Sequence, residues 1–257
     1  MKLSFQRERE APSRSVPTQA DFPAVSGADI AGLVHGQRVG GDLYHFLRAN
    51  PNRVVFGLLD VAGSHEENQR IVSAARQTFQ KLGSERFADE EINEADTMME
   101  FCLELNLSSR RSAAGVRSCA AFLGCYNEEL GTICYANAGH TPGLLRDPSG
   151  ITELPATGLP LGLFSASTYE APIAALQPGA SLLLVSRGVV EAAYKKEEFG
   201  LERVKQQLER SSVESAKGMA AAILDGVQQF LRSAPKENDF TALALVRAAK
   251  GQIAIGA

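Results

Sequence analysis

Nowhere in the 257 residues does an apolar run approach the roughly 20 residues that cross a bilayer as a helix. The first ten residues, MKLSFQRERE, are charged throughout and lack the apolar stretch of a secretory leader. Positive charge is not in excess either. The formal net charge is -4, so no strong basic field exists to hold a nucleic-acid backbone. The four cysteines, Cys102, Cys119, Cys125 and Cys134, form no CxxC pair and no Cys/His cluster with zinc spacing. Three of them lie inside apolar, strand-like runs, which reads as reduced, buried thiols packing as small hydrophobes. There is no GxxxxGK[ST] loop, no serine or cysteine nucleophile in an elbow or triad context, and no internal repeat. These absences favour a cytoplasmic protein that engages neither membrane nor nucleic acid.

What is present suits a sizeable core: 44% of residues are hydrophobic and 22% charged. Residues 1–24 carry Pro12, Pro17 and Pro23 among small polar and charged residues, and read as a mobile or loosely docked arm. From there to about residue 248 nothing resembles a linker, so one domain is expected over 25–248 with a short tail at 249–257. Ala28–His35 and Arg38–Arg48 read as a hairpin turning near Gly36, and RVVFGLLD (Arg53–Asp60) as a buried strand. Ser64 is placed to cap a helix over Glu66–Leu82, and a second helix is expected over Ala88–Leu107, followed by a loop from Ser108 to Gly115. Strands follow at Val116–Tyr126, Gly131–Ala136, Gly143–Arg146 and Ala180–Ser186. Helices are then expected at Leu201–Arg210 and Ala216–Leu231, and Phe240–Arg247 closes as a strand. Runs of strands separated by runs of helices predict a layered α+β fold rather than a βαβ repeat.

Three aspartates fall where strands begin or end: Asp42 after Gly40-Gly41, Asp60 at the end of RVVFGLLD, and Asp239 just before the last strand. Carboxylates at strand ends can converge on a hard divalent cation at a sheet edge, although an aspartate taken singly is more often a turn or cap former.

Arg38-Val-Gly-Gly-Asp42-Leu-Tyr44, Leu59-Asp60-Val-Ala-Gly63, Ala136-Asn-Ala-Gly-His-Thr-Pro142, Leu159-Pro-Leu-Gly162, the strand Gly179–Ala192, Phe199-Gly200 and Asn238-Asp-Phe-Thr241 occur in one order over most of the chain. That ordered set resembles the stage II sporulation protein E-like branch of the PPM-type metal-dependent serine/threonine phosphatases. The resemblance implies a four-layer αββα sandwich of two packed antiparallel sheets flanked by helices. It also implies manganese or magnesium ions between the sheet edges, and water activated by those ions attacking phosphoserine or phosphothreonine in line. Carried over by motif, Asp60 and Asp42 would be the catalytic, metal-holding carboxylates, supported by the carbonyl of Val61. The partner class implied is a phosphoprotein such as a small STAS-like anti-sigma-antagonist domain, and a homodimer is left open.

Two positions depart from the pattern. Arg187 stands where the family carries the aspartate of T-D-G, and Asn238 where it carries the first aspartate of D-D-x-T. Exchanging two anions for a cation and a neutral amide is a perturbation of several kcal/mol even at an effective dielectric near 20. At most one well-formed cation site is therefore expected. Arg187 either faces solvent or pairs its guanidinium with Asp60 or Asp42 in place of an ion, and Asp239 or Glu191 is the alternative replacement ligand. A pseudophosphatase that binds partners without hydrolysis is the rival reading, and a scaffold pairing through a sheet edge or helix a more distant one. His65 and Glu66 read as exposed first-turn helix residues, His140 as a residue that orders its turn, and Arg110, Arg111 and Arg117 as solvated surface. Restoring both carboxylates, Arg187→Asp with Asn238→Asp, is expected to raise manganese affinity at least tenfold by isothermal titration. Unchanged affinity would show that the two positions do not face the ion.

Overall fold

The strand Arg53–Val61 is buried along its whole length. Val55, Leu59 and Val61 enter one apolar cluster and Val54, Phe56 and Leu58 another. A strand covered on both faces reads as a continuous apolar run, because successive side chains point to opposite sides. The computed structural model describes residues 18–19, 24–36, 41–61, 65–112, 118–211, 214–232 and 239–249. In it this strand is β4 of a five-stranded antiparallel sheet ordered β3 (Gly41–Asn50), β4 (Arg53–Val61), β5 (Cys119–Asn127), β6 (Thr132–Ala138), β9 (Ile173–Ala175). A second sheet runs β1 (Thr18–Gln19), β2 (Ala28–His35), β13 (Phe240–Arg247), β10 (Ser181–Val185), β7 (Gly143–Asp147), β8 (Gly150–Leu154).

Helices α1 (His65–Arg86) and α2 (Glu94–Ser112) cover the first sheet, with Ile71, Phe79, Met98 and Phe101 against Val55 and Leu123. Helices α4 (Gly200–Arg210) and α5 (Ala216–Leu231) cover the second, with Met219, Ile223 and Val227 against Leu183, Val185 and Ala244. Between the sheets Phe56, Leu58 and Phe122 meet Leu182, Leu184, Leu243 and Leu245. Three apolar clusters thus form the three interfaces of an αββα sandwich, the fold class anticipated from sequence. A single-turn helix α3 (Arg187–Val190) and a small hairpin of β11 (Ala193–Tyr194) and β12 (Glu197–Glu198) follow β10.

Several elements differ from the sequence expectation. β2 and β3 are not a hairpin: β2 pairs with β13, β3 pairs with β4, and the chain crosses between sheets after Gly36. β2 pairs along its whole length with β13, in eight register pairs, and hairpin reasoning from local turn signals cannot see such distant pairing. The second helix starts at Glu94 rather than Ala88 and runs on to Ser112, through the start of the expected loop. Arg53 holds the carbonyls of Asp89 and Glu90 at 2.7 and 2.9 Å, which pins that stretch as a turn. Asn93 then caps the helix by accepting from the backbone N–H groups of Ala95 and Asp96. Of the expected arm, Thr18 and Gln19 pair with Val34 and Leu33 as an edge strand. Arg38 to Gly40, Gly63, the Ser64 cap, Arg117, Asn238 and most of the tail lie outside the described residues.

The α2 layer is tied to the first sheet by one buried ion pair. Arg53 Nε donates to Glu94 Oε1 at 2.7 Å, and Asn127 Nδ2 donates to the same oxygen at 2.8 Å; both charged side chains are 9% exposed. Removing one partner strands a buried charge. Glu94→Ala is therefore expected to lower unfolding free energy by about 3 kcal/mol in urea titration, and a loss below about 1 kcal/mol would mark the pair as surface-like.

Candidate functional site

Strand parity brings the chemistry to one edge of the sandwich. Asp42 at the start of β3 and Asp60 near the end of β4 are register partners, so both side chains lie on the same face, the one shared with Tyr44, Phe46, Phe56 and Leu58 between the sheets. From the opposite sheet Thr241 Oγ1 donates to Asp42 Oδ2 at 2.6 Å. The Ser186 hydroxyl donates to Asp42 as well, and Ser186 Oγ in turn accepts from the Thr241 backbone N–H at 3.1 Å. Asp239, 5% exposed, closes the cluster. Its carboxylate lies so close to Gly36 that a Cβ there would come within 2.3 Å of Asp239 Oδ1. That close approach requires a residue without a side chain.

Two carboxylates on neighbouring strands therefore share one corner, with Asp239 approaching from just before β13. Burial, reinforced by the negative charge of Asp60 directly opposite, pushes the Asp42 carboxyl up to about 7, against the lowering effect of the Thr241 and Ser186 hydroxyls. Asp239 adds to the rise. Beneath them the Cys119 thiol is raised by its own burial and by Asp60 and Asp42.

Arg187 opens α3 immediately after β10. Its Nη2 lies 3.6 Å from Asp60 Oδ1 and its Nε 3.8 Å from Glu191 Oε2, with the side chain 51% exposed. Both sequence readings are thus partly present, a half-exposed guanidinium with one nitrogen against Asp60. Glu191 faces Arg187 from the next turn rather than entering the aspartate cluster. Val61 is buried and pairs with Gly41 and Cys119. The side chains of His65 and Glu66 lie outside the described residues. Arg110 and Arg111 reach the carbonyls of Leu163 and Leu107 from the last turn of α2.

His140, 5% exposed, sits in a turn built by Asn137. Asn137 Oδ1 accepts from the His140 backbone N–H at 2.8 Å, and Gly139 adopts φ 67, where a Cβ would also strike the Pro160 ring at 2.5 Å. The Asn-Ala-Gly-His and Leu-Pro-Leu-Gly segments therefore lock together. Burial lowers the His140 pKa; the Thr141 carbonyl and the Asp60 charge oppose that, and Arg187 adds to it. The hydroxyls of Ser186 and Thr241 were missed by sequence reasoning as partners of Asp42. Their only signal is their place beside the two departures from the motif pattern.

Among the described residues no three His, Cys, Asp or Glu side chains converge into a closed cage. A facing pair of crowded carboxylates nonetheless suits one hard cation, since magnesium-like ions keep several waters and bind through one or two carboxylates. Arg187 Nη2, 3.6 Å from Asp60 Oδ1, brings a positive charge that opposes a second cation there.

The fold and the acidic edge define the class, a two-sheet αββα domain of the PP2C phosphatase type. The profile of the Stage II sporulation protein E (SpoIIE) family matches residues 50–248, and the chain belongs to that family. It is similar to phosphoserine phosphatase RsbU of Bacillus subtilis, with 26% identity over 230 residues, covering 88% of this chain and 65% of RsbU. The RsbU and RsbW domains of Rv1364c from Mycobacterium tuberculosis superpose with a TM-score of 0.73 at 24% identity, over 90% of this chain and 64% of that one. The SiaA PP2C domain of Pseudomonas aeruginosa gives 0.67 at 18% identity, over 84% of each chain. This chain thus spans about two thirds of the length of RsbU. Among the described residues no helix is long and apolar enough to cross a membrane.

A carboxyl whose folded pKa lies above its unfolded value of about 3.9 binds its proton more tightly in the native state. Stability therefore falls as pH rises from about 4 to about 7, and the penalty is complete above that window. Without metal, Asp42→Asn is expected to be more stable than the parent by a few kcal/mol at pH 8, with the gap closing near pH 4. Urea titrations in chelator read the gap, and one that does not change with pH would refute the placement.

Proposed function

We propose that the chain is a phosphoprotein phosphatase domain acting on phosphoserine or phosphothreonine, its working unit spanning residues 25–248. The facing Asp42–Asp60 pair carries this reading, together with membership of the SpoIIE family and the likeness to a phosphoserine phosphatase. Asp42 and Asp60 would hold one manganese or magnesium ion, with the Val61 carbonyl in support and Asp239 nearby. A bound cation at that position supplies an acidified water and neutralises phosphoryl charge. The protein's own part is to hold the two carboxylates opposed, to keep Asp42 oriented through Thr241 and Ser186, and to exclude bulk water by burial. Arg187, half exposed at the rim, is suited to a phosphoryl oxygen as well as to Asp60.

RsbU-like relatives and the RsbW-bearing neighbour support a substrate among the phosphorylated domains of partner-switching regulation, acted on in the cytoplasm. The Arg187–Asp60 contact favours a second reading, a pseudophosphatase that recognises such a partner without hydrolysing it.

Manganese-dependent hydrolysis of p-nitrophenyl phosphate and of a phosphoserine peptide is the test. The phosphatase reading expects turnover that Asp60→Asn lowers by at least roughly 10²-fold, with manganese raising the melting temperature of the parent but not of the variant. No turnover and no manganese-induced shift at any pH between 6 and 9 would leave the binding-module reading.

A further inference from the structure

Both neighbours of His140 Nδ1 are oxygens. The Thr141 carbonyl lies 3.1 Å away and the Thr141 hydroxyl 3.0 Å away. A carbonyl can only accept. The hydroxyl has one proton, and it donates that proton to the Val185 carbonyl, so toward the ring it too can only accept. The proton of a neutral His140 must therefore sit on Nδ1, which leaves Nε2 as a bare lone pair. That nitrogen is buried and, among the described residues, has no hydrogen-bond partner.

The ring also stands at the acidic corner. Gly139 bridges to Ala121, next to Ala120, the register partner of Asp60. Thr141 ties the turn to the last residue of β10, two residues before Arg187. Asp60 and Arg187 are the charges felt by the imidazole. A buried acceptor without a donor costs free energy unless something supplies the donor. Ordering the turn does not require an imidazole, since the Asn137 side chain and the Nδ1 contacts already do that work. What the turn leaves unexplained is Nε2.

We propose that His140 is a catalytic residue, its Nε2 accepting a hydrogen bond from the hydrolytic water and so aiming a water lone pair at phosphorus. This rests on the phosphatase reading and adds to it a nitrogen acceptor that the carboxylate cluster lacks. Asp60 and Asp42 are acceptors held for a cation, whereas Nε2 is neutral and free to fix the orientation of a water beside them. No proton leaves the water in this role; the bond only orients it.

Two amide variants separate this role from a structural one. In His140→Asn the side-chain N–H overlays Nδ1–H, keeping the contact to Thr141 and removing the distal acceptor. In His140→Gln the amide reaches the Nε2 position and can present its oxygen there, while the Nδ1 contact is lost. The catalytic role expects His140→Asn to melt near the parent yet lose roughly 10²-fold in kcat at little change in KM, with His140→Gln recovering part of that loss. A merely structural role expects the reverse, an active His140→Asn and a destabilised, unrescued His140→Gln, and that result overturns the proposal.

A readout independent of turnover is the long-range 1H–15N spectrum of the full chain labelled at its four histidines, with the His140 signals assigned by their loss in His140→Asn. The Nδ1–H tautomer is expected, and an Nε2–H tautomer overturns the assignment while leaving the phosphatase reading intact. Conversely, no hydrolysis by the manganese-loaded parent removes both the phosphatase reading and the catalytic role, while the tautomer is still read.

Discussion

Two carboxylates held face to face dominate the electrostatics of one edge of the sandwich. Asp42 and Asp60 occupy directly opposed positions on neighbouring strands, where like charges destabilise a sheet. The fold tolerates them because the second sheet supplies what the first cannot. Thr241 and Ser186 give Asp42 two hydroxyl donors, and Arg187 brings a cation toward Asp60. The corner is therefore an electrostatic joint between the two sheets, and it is left short of positive charge. A corner poised in that way is suited to receiving a cation.

Rigid surroundings keep the joint in place. The carboxylates sit at the ends of strands whose remaining residues are locked into apolar layers on both sides, so they cannot retreat from one another by a slip of one residue without turning the whole strand inside out. The turn carrying His140 is fixed by a backbone that only glycine adopts easily at 139, wedged against Pro160. The Arg53–Glu94 pair fastens the helical layer to the same sheet from its other end. Rigidity of this kind is what orienting a water or a cation requires.

Much of the architecture was legible in the residues. β4 and β10 are apolar runs of strand length between glycine or polar breaks, and the layered order of strands and helices followed from them. The β2–β3 pairing was not legible, because local turn signals suggest a hairpin whereas the actual partner of β2 lies some two hundred residues away. The start of α2 was hidden as well. Ala88 to Glu91 has adequate helix character, but its carbonyls are claimed by Arg53 from another strand, and tertiary contacts override a weak local preference. At the site, Asp42 and Asp60 were visible as strand-end acids beside glycines. Thr241 and Ser186 lay within recognised motif segments, but their contact with Asp42 was not legible, since it spans the two sheets.

By itself the order of motifs determined the family and the fold class, and it marked Arg187 and Asn238 as departures from the expected acids. Periodicity and motif spacing are properties of the chain, and they survive without knowing which strand meets which. Only the tertiary structure decided that Asp42 and Asp60 are exact cross-strand partners, that Asp239 packs against Gly36, and that Arg187 leans toward Asp60 while remaining half exposed. It also set the Thr141 hydroxyl between the His140 ring and the Val185 carbonyl. Charge–charge energies and proton positions depend on distances between segments far apart in sequence, and those distances exist only once the two sheets have packed.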